Sequence, residues 1–128
     1  MDILLDTHAV IWLFEGNVKM SEKAKKSINN LESRVYVSVA SLWELAIKLK
    51  TGKLNFEGGL DGFVRAIFDN EFILLEIEIE HIRELVNLPL IHKDPFDRMI
   101  IAQSKVENLL IVTADTNILK YDNINYIW

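Results

Sequence analysis

The segment HKDPFDRMIIAQ, residues 92–103, puts two aspartates, Asp94 and Asp97, three positions apart across a proline and then runs into an apolar helical pattern. A helix start explains part of this: Asp94 suits the N-cap, Pro95 the first helical position, and Asp97 in the first turn complements the helix dipole. A metal site is the other explanation. Three further acids fall at suggestive points, Asp6 in LLDTH, Glu44 in SLWELAIKL and Asp115 in TADTN. Mg²⁺ or Mn²⁺ takes hard oxygen ligands from a few carboxylates and keeps positions for water and phosphate oxygens. Acids gathered together repel, and the pKa of at least one rises unless a cation sits among them. With such an ion bound, water becomes a better nucleophile and charge developing on a phosphodiester is neutralised, which is hydrolysis without a covalent enzyme intermediate.

The elements that would position these acids can be read from periodicity. Short apolar runs at 3–6, 35–39, 72–77, 109–113 and 124–128 predict strands. Helical patterns at 8–14, 21–31, 41–50, 60–69, 78–88 and 95–107 lie between them. Such alternation predicts an α/β fold of three layers, α/β/α, around a central mainly parallel sheet of four to five strands. Ligands of such sheets bind outside the carboxyl ends of the strands, where chain order places Asp6, Glu44 and Asp115. Residues 51–59, TGKLNFEGG, carry three glycines and read as a turn or flap.

Each candidate has a plainer structural role. Asp6 and Asp115 suit the N-caps of the helices that follow them, worth about 1 kcal/mol each. Glu44 pairs at i,i+4 with Lys48, yet its apolar surroundings make an uncompensated carboxylate expensive, a cost that a cation would offset. Thr7 serves either a metal-bound water or the cap of the first helix. Arg98 is expected to pair with Asp94 or to steer phosphate. His8 and His92 are expected in structural or substrate-side roles, with general acid as the alternative, and His81 reads as incidental on a charged helix. Trp12, Phe14 and Trp43 read as core or dimer surface rather than base-stacking platforms.

Bulk properties bound the function classes. The 128 residues, half of them hydrophobic, fit a single domain spanning 1–128 with a real core. The absence of cysteine excludes disulfides and thiolate zinc sites and is compatible with a reducing, cytoplasmic setting. The apolar N-terminus lacks a basic n-region and a cleavage pattern, so no signal peptide is expected, and no apolar run approaches the roughly 20 residues of a membrane helix. A net charge of -5 argues against broad capture of nucleic acid by a basic surface, although a carboxylate site contributes negative charge that a bound metal cancels. The lysines at 23, 25 and 26 and at 48, 50 and 53 read as solvated helix faces.

The segments LLDTHAVIWL, SVASLWELAIK, HKDPFDRMIIAQ and LLIVTADTNIL, in that order and spanning nearly the whole chain, resemble a PIN-domain ribonuclease of the VapC toxin type. The H-x-D-P-F-D-R block is the most specific of the four. The resemblance implies a Mg²⁺- or Mn²⁺-dependent endoribonuclease, a homodimer, held inactive by a cognate antitoxin whose C-terminal segment occupies the active-site groove. It also implies that Asp6, Glu44, Asp97 and Asp115 form the catalytic, metal-binding set, with Asp94 as a supporting cap beside them.

Two other functions fit a small acidic α/β domain. A phosphorylation-switched receiver would use similar elements, but Asp6 has no adjacent acidic partner and FILLEI ends without an aspartate to accept phosphate. A catalytically silent interaction module would use the same acidic cleft to bind a basic peptide.

Overall fold

A computed structural model describes all 128 residues. The chain runs β1 (Asp2–Leu5), α1 (Thr7–Glu15), α2 (Glu22–Asn29), β2 (Arg34–Ser38), α3 (Val39–Lys50), α4 (Gly59–Asp69), β3 (Ile73–Leu75), α5 (Ile79–Asn87), α6 (Pro95–Val106), β4 (Leu110–Val112), α7 (Thr116–Leu119) and β5 (Tyr126–Ile127). The five strands form one sheet in the order β3-β2-β1-β4-β5, and every pairing is parallel.

Strand periodicity builds the layers. Because successive side chains on a strand point to opposite faces, Ile3 and Leu5 of β1 enter one core while Leu4 enters another. The first core gathers Val35, Val37 and Val112 with Ala9 and Val10 of α1, Ala24 of α2, Leu45 of α3 and Phe63 and Ile67 of α4. The second gathers Leu4 and Ile111 with Ile100, Ile101 and Ala102 of α6, Ile118 of α7 and Tyr121. Helices therefore cover both faces, the expected three-layer α/β/α arrangement. Each fully buried aliphatic side chain such as Ile100 contributes about 1.5–3 kcal/mol, so α6 is anchored by its apolar face while its first turn reaches the carboxyl end of the sheet.

Boundaries moved where local chemistry overrode pattern. The second strand was expected to include Val39, but the Ser38 hydroxyl accepts from the Ala40 amide and α3 starts at Val39, two residues earlier than expected. The runs at 72–77 and 124–128 shorten to three and two residues, because a strand extends only as far as its neighbour offers partners. Residues 51–58 connect α3 to α4, with Gly59 of the expected turn segment opening the helix, and Gly58 at φ 80° caps α4 in a conformation that side chains with a Cβ avoid.

His81 corrects the sequence reading. It is fully buried, its Nδ1 accepts from the Glu78 amide in a capping box, and its Nε2 lies 3.0 Å from Glu107 at the end of α6. The ring closes the start of α5 and ties it to α6, a role hidden by the charged residues around it. Phe14 packs against Phe56, Phe63 and Phe72 as a core residue, whereas Trp43 is exposed on α3 with its ring edge-to-face on Phe96.

Candidate functional site

The strand order places a crevice at the carboxyl ends of β1 and β4. From β1 the chain builds outward to β2 and β3 on one side, then returns to add β4 and β5 on the other. Adjacent strands whose crossovers leave in opposite directions open a gap between their following loops, which is where ligands of parallel sheets bind. Asp6 follows β1 and Asp115 follows β4, and the Asp6 amide donates to the Val112 carbonyl at 3.1 Å, which stitches the two loops together.

Asp6 caps α1. Its Oδ1 accepts from the Ala9 amide at 2.7 Å, and its Oδ2 accepts from the Thr113 hydroxyl. Burial pushes its carboxyl above the usual range, and these two donors oppose that shift. Thr113 is a site residue that the sequence reading missed. Its Oγ1 also accepts from the Asp115 amide at 3.0 Å, so one buried hydroxyl sets both acids. A threonine at the end of a strand, two residues before the aspartate of TADTN, was the available signal.

Asp115 caps α7 through the Asn117 amide at 2.8 Å. Asp94 caps α6, with Oδ1 accepting from the amides of Phe96 and Asp97 at 2.9 and 3.0 Å. Glu44, in the second turn of α3, is buried and pairs with Lys48 through Oε2 at 3.0 Å. Its other oxygen, Oε1, is buried without any hydrogen-bond partner. Such an orphaned acceptor costs about 1–3 kcal/mol, more for a charged group.

Asp97 feels the charge of the other four acids. Withdrawal from water raises its pKa to about 8, and Asp94, Asp115, Glu44 and Asp6 add to the rise in that order. These carboxylates share one electrostatic environment despite lying up to 109 residues apart in sequence. The sequence reading expected this proximity.

The donor set fits a hard divalent ion: carboxylate oxygens only, one of them orphaned and one carboxyl holding its proton past neutrality. In the conformations described, however, no three Asp, Glu or His side chains close on a common point as ligands. The local bonds supply the reason. Asp6, Asp94 and Asp115 face amides of their own helices and Glu44 faces Lys48, which holds these like charges apart.

Two supporting expectations are corrected. Arg98 neither pairs with Asp94 nor faces the crevice; it is buried and donates to the carbonyls of Leu85, Leu88 and Pro89 and to the Tyr121 hydroxyl. A guanidinium carries five donors in a fixed fork, and the unsatisfied carbonyls at the end of α5 claim them. Thr7 does not cap α1, because Asp6 does; its hydroxyl instead shares a hydrogen bond of 2.9 Å with Ser41 of α3. This bond ties the start of α1 to the helix that carries Glu44.

His8 and Trp12 line a small cavity of about 170 Å³ together with Asp6, Ala114 and Asp115. Their rings lie 5.8 Å apart, and Trp12 also packs edge-on against Trp128. Trp12 thus serves the core, as expected, and also borders the acids. His92 stands on the other side, 3.3 Å from Asp97.

The PIN domain family model matches residues 3–124 of the chain. Among solved structures, the chain is similar to the VapBC2 structure from Rickettsia felis, bound to a DNA fragment from their promoter, at 16% identity over 99% of this chain and 98% of that one, with a TM-score of 0.76. It is similar to VapBC-1 from nontypeable Haemophilus influenzae at 18% identity over 99% and 97% of the two chains, TM-score 0.73. It is also similar to FitAcB from Neisseria gonorrhoeae at 19% identity over 100% and 97%, TM-score 0.67. No curated protein matches. At these identities the likeness carries the fold, and no helix of the chain is long and apolar enough to cross a membrane.

Proposed function

The chain belongs to the PIN domain family, and from that premise we propose that it is a Mg²⁺- or Mn²⁺-dependent endoribonuclease, the toxin of a toxin–antitoxin pair. One observation carries this reading: Asp97 is largely withdrawn from water beside four other carboxylates with no lysine or arginine paired to it, which pushes its pKa up to about 8. A fold does not gather such acids for stability, and a divalent cation is the counter-charge they suit.

Asp6, Glu44, Asp97 and Asp115 are the residues that would hold the ion. When bound, it would supply Lewis acidity toward the phosphodiester and activate the attacking water. The chain's own contribution is positional. Thr113 and the Ala9 amide hold Asp6 against the end of β1, Lys48 offsets half of the burden on Glu44, and Glu44 Oε1 offers an acceptor that nothing in the protein satisfies. Asp94 keeps the first turn of α6 in register, so that Asp97 faces the crevice and not its own helix. The cavity beside Asp6 and Asp115 offers His8 and Trp12 as a surface on which a base next to the scissile bond stacks.

Similarity to VapBC, FitAcB and toxin-antitoxin complex structures supports an antitoxin partner, and the reading extends to a homodimer in a cytoplasmic setting. The test is cleavage of an RNA panel in Mg²⁺ or Mn²⁺ by the unaltered chain, Asp6→Asn and Asp97→Asn. Both variants are expected to lose about 100-fold or more in rate, beyond the loss typical of residues outside the metal's own ligands. Equal rates in all three proteins would remove these aspartates from the chemistry.

A further inference from the structure

With the imidazole neutral and Asp97 ionised, as it would be when it holds a cation, the hydrogen bonds beside Asp97 run in one direction. Arg98 is a pure donor. Its Nη1 gives to the Tyr121 hydroxyl at 2.9 Å and to the Pro89 carbonyl at 2.7 Å, and its Nη2 reaches the carbonyls of Leu88 and Leu85 at 3.3 and 3.4 Å. Tyr121, whose oxygen accepts from the arginine, has one proton left to give, and His92 Nδ1 lies 2.8 Å away. An imidazole that accepts at Nδ1 carries its proton on Nε2. That atom stands 3.3 Å from Oδ2 of Asp97.

Burial makes this order rigid. Arg98 is 9% exposed and Tyr121 4%, so water cannot readily take over either hydrogen bond. The Tyr121 and His92 rings also meet edge-to-face, with centroids 5.4 Å apart, which fixes the plane of the imidazole. On the far side, the arginine is clamped by three carbonyls from the end of α5 and the turn after it. The other oxygen of Asp97, Oδ1, takes part in no hydrogen bond within the protein.

We propose that Arg98, Tyr121 and His92 form a positioning relay: it fixes His92 in the Nε2–H tautomer, engages Oδ2 of Asp97 and leaves Oδ1 for a divalent cation. This inference rests on the reading of Asp97 as a metal ligand. His92 is a positioning residue in it, not a general acid. Arg98 acts two contacts away from Asp97 by holding the tyrosine that holds the histidine. Partners one step behind a metal ligand orient it and set its basicity, and their loss typically weakens metal binding about 10- to 100-fold.

The test uses the full chain with ¹⁵N-labelled histidine, whose ring nitrogens report the tautomer directly, and Mn²⁺ as the probe ion, followed by calorimetry or electron paramagnetic resonance. In the unaltered protein His92 is expected to show a proton on Nε2 and none on Nδ1. Tyr121→Phe, which keeps the packing and removes only the hydroxyl, is expected to mix the tautomers and weaken Mn²⁺ binding about 10-fold. His92→Ala should weaken it similarly. His92→Gln should restore most of the affinity, since an amide N–H can donate to Oδ2 where alanine cannot. A purely structural role would lower stability in all three variants and show no such rescue. If Tyr121→Phe does not fold, the contrast between alanine and glutamine at the half-buried position 92 decides the matter.

A proton on Nδ1 in the unaltered chain, or equal Mn²⁺ affinities for the unaltered chain and His92→Ala, would overturn the relay. Neither readout uses RNA. Ordered Mn²⁺ affinities without RNA cleavage would end the ribonuclease reading and keep the relay, whereas a chain that takes up no Mn²⁺ would end both.

Discussion

Asp2 and Asp6 bracket the same strand, and the fold treats them oppositely. Asp2, at the start of β1, meets Arg34 directly across the parallel β1–β2 pair, and the guanidinium donates to both carboxylate oxygens at 3.0 and 2.8 Å. Asp6, just past the end of β1, is buried and receives only neutral donors. Around it stand Asp94, Asp97, Asp115 and Glu44, and the one lysine or arginine paired with any of these five acids is Lys48 on Glu44, while Asp97 has a hydrogen bond with His92. At the amide end of the sheet the chain encodes the counter-charge of its acid. At the carboxyl end it encodes acids in excess and leaves the balance to a component from outside.

The largest effect expected from breaking this contrast is on stability against pH. Asp97 keeps its proton to about pH 8 in the folded protein, against 3.8 in an unstrained chain. A raised folded-state pKa gives stability that is fully present below the unfolded value and is lost as pH rises through the folded one. Between the two values the unfolded chain has released a proton that the folded chain retains, so stability falls as pH rises, by about 1.4 kcal/mol per unit at most. Asp6, raised by burial, adds in the same direction above its ordinary value of 3.8. The metal-free protein should therefore lose stability on the order of a few kcal/mol from pH 4 to pH 8. Asp97→Asn should flatten that slope and make the protein more stable at pH 8, although it is expected to abolish cleavage. Denaturant unfolding at several pH values checks this; an unchanged slope in Asp97→Asn would place the uncompensated charge elsewhere. Added Mn²⁺ should stabilise the unaltered chain more at pH 8 than at pH 5, because it binds the form that high pH creates.

Thr113→Val sharpens the comparison from inside the site. Valine matches the shape of threonine in this fully buried position and removes only the hydroxyl. Asp6 loses a donor and the Asp115 amide loses an acceptor. Leaving a buried polar group without its partner costs about 1–3 kcal/mol, and unfolding at neutral pH would measure it. Serine at the same position should recover most of the loss, and a Val variant as stable as the unaltered chain would mean that this hydroxyl carries no strain for the two acids.

The carboxyl-end acids were legible in the sequence for a physical reason. Strand periodicity around Leu4 and Ile111 fixes where β1 and β4 end, and an aspartate immediately before a helix has one good use locally, as Asp6, Asp94 and Asp115 all show. Glu44 stood out because SLWELAIKL offers it little water. What stayed hidden depends on partners distant in sequence. Arg98 beside two aspartates looks like a phosphate or carboxylate binder, yet carbonyls nine to thirteen residues earlier and a tyrosine 23 residues later take its donors. His81 sits in a charged helix whose packing on α6, through Glu107, no local pattern reveals. The sheet order was hidden likewise, since β3 and β5 are too short for their neighbours to be inferred from pattern.

The smallest effect belongs to the pair that anchors the other side of the comparison. Arg34→Ala removes the guanidinium from Asp2 at the exposed amide end of the sheet. Solvent screens exposed pairs, and ordering two long side chains offsets much of their attraction. Stability should change little, and the change should shrink further as salt is raised. RNA cleavage and Mn²⁺ affinity should not move, because Asp2 stands a full strand length from Asp6 and faces water, which can take the place of the lost charge. A loss of cleavage in Arg34→Ala with the fold intact would mean that the two ends of the sheet are coupled, and the excess of acid at the carboxyl end could then no longer be treated as a separate feature built for a cation.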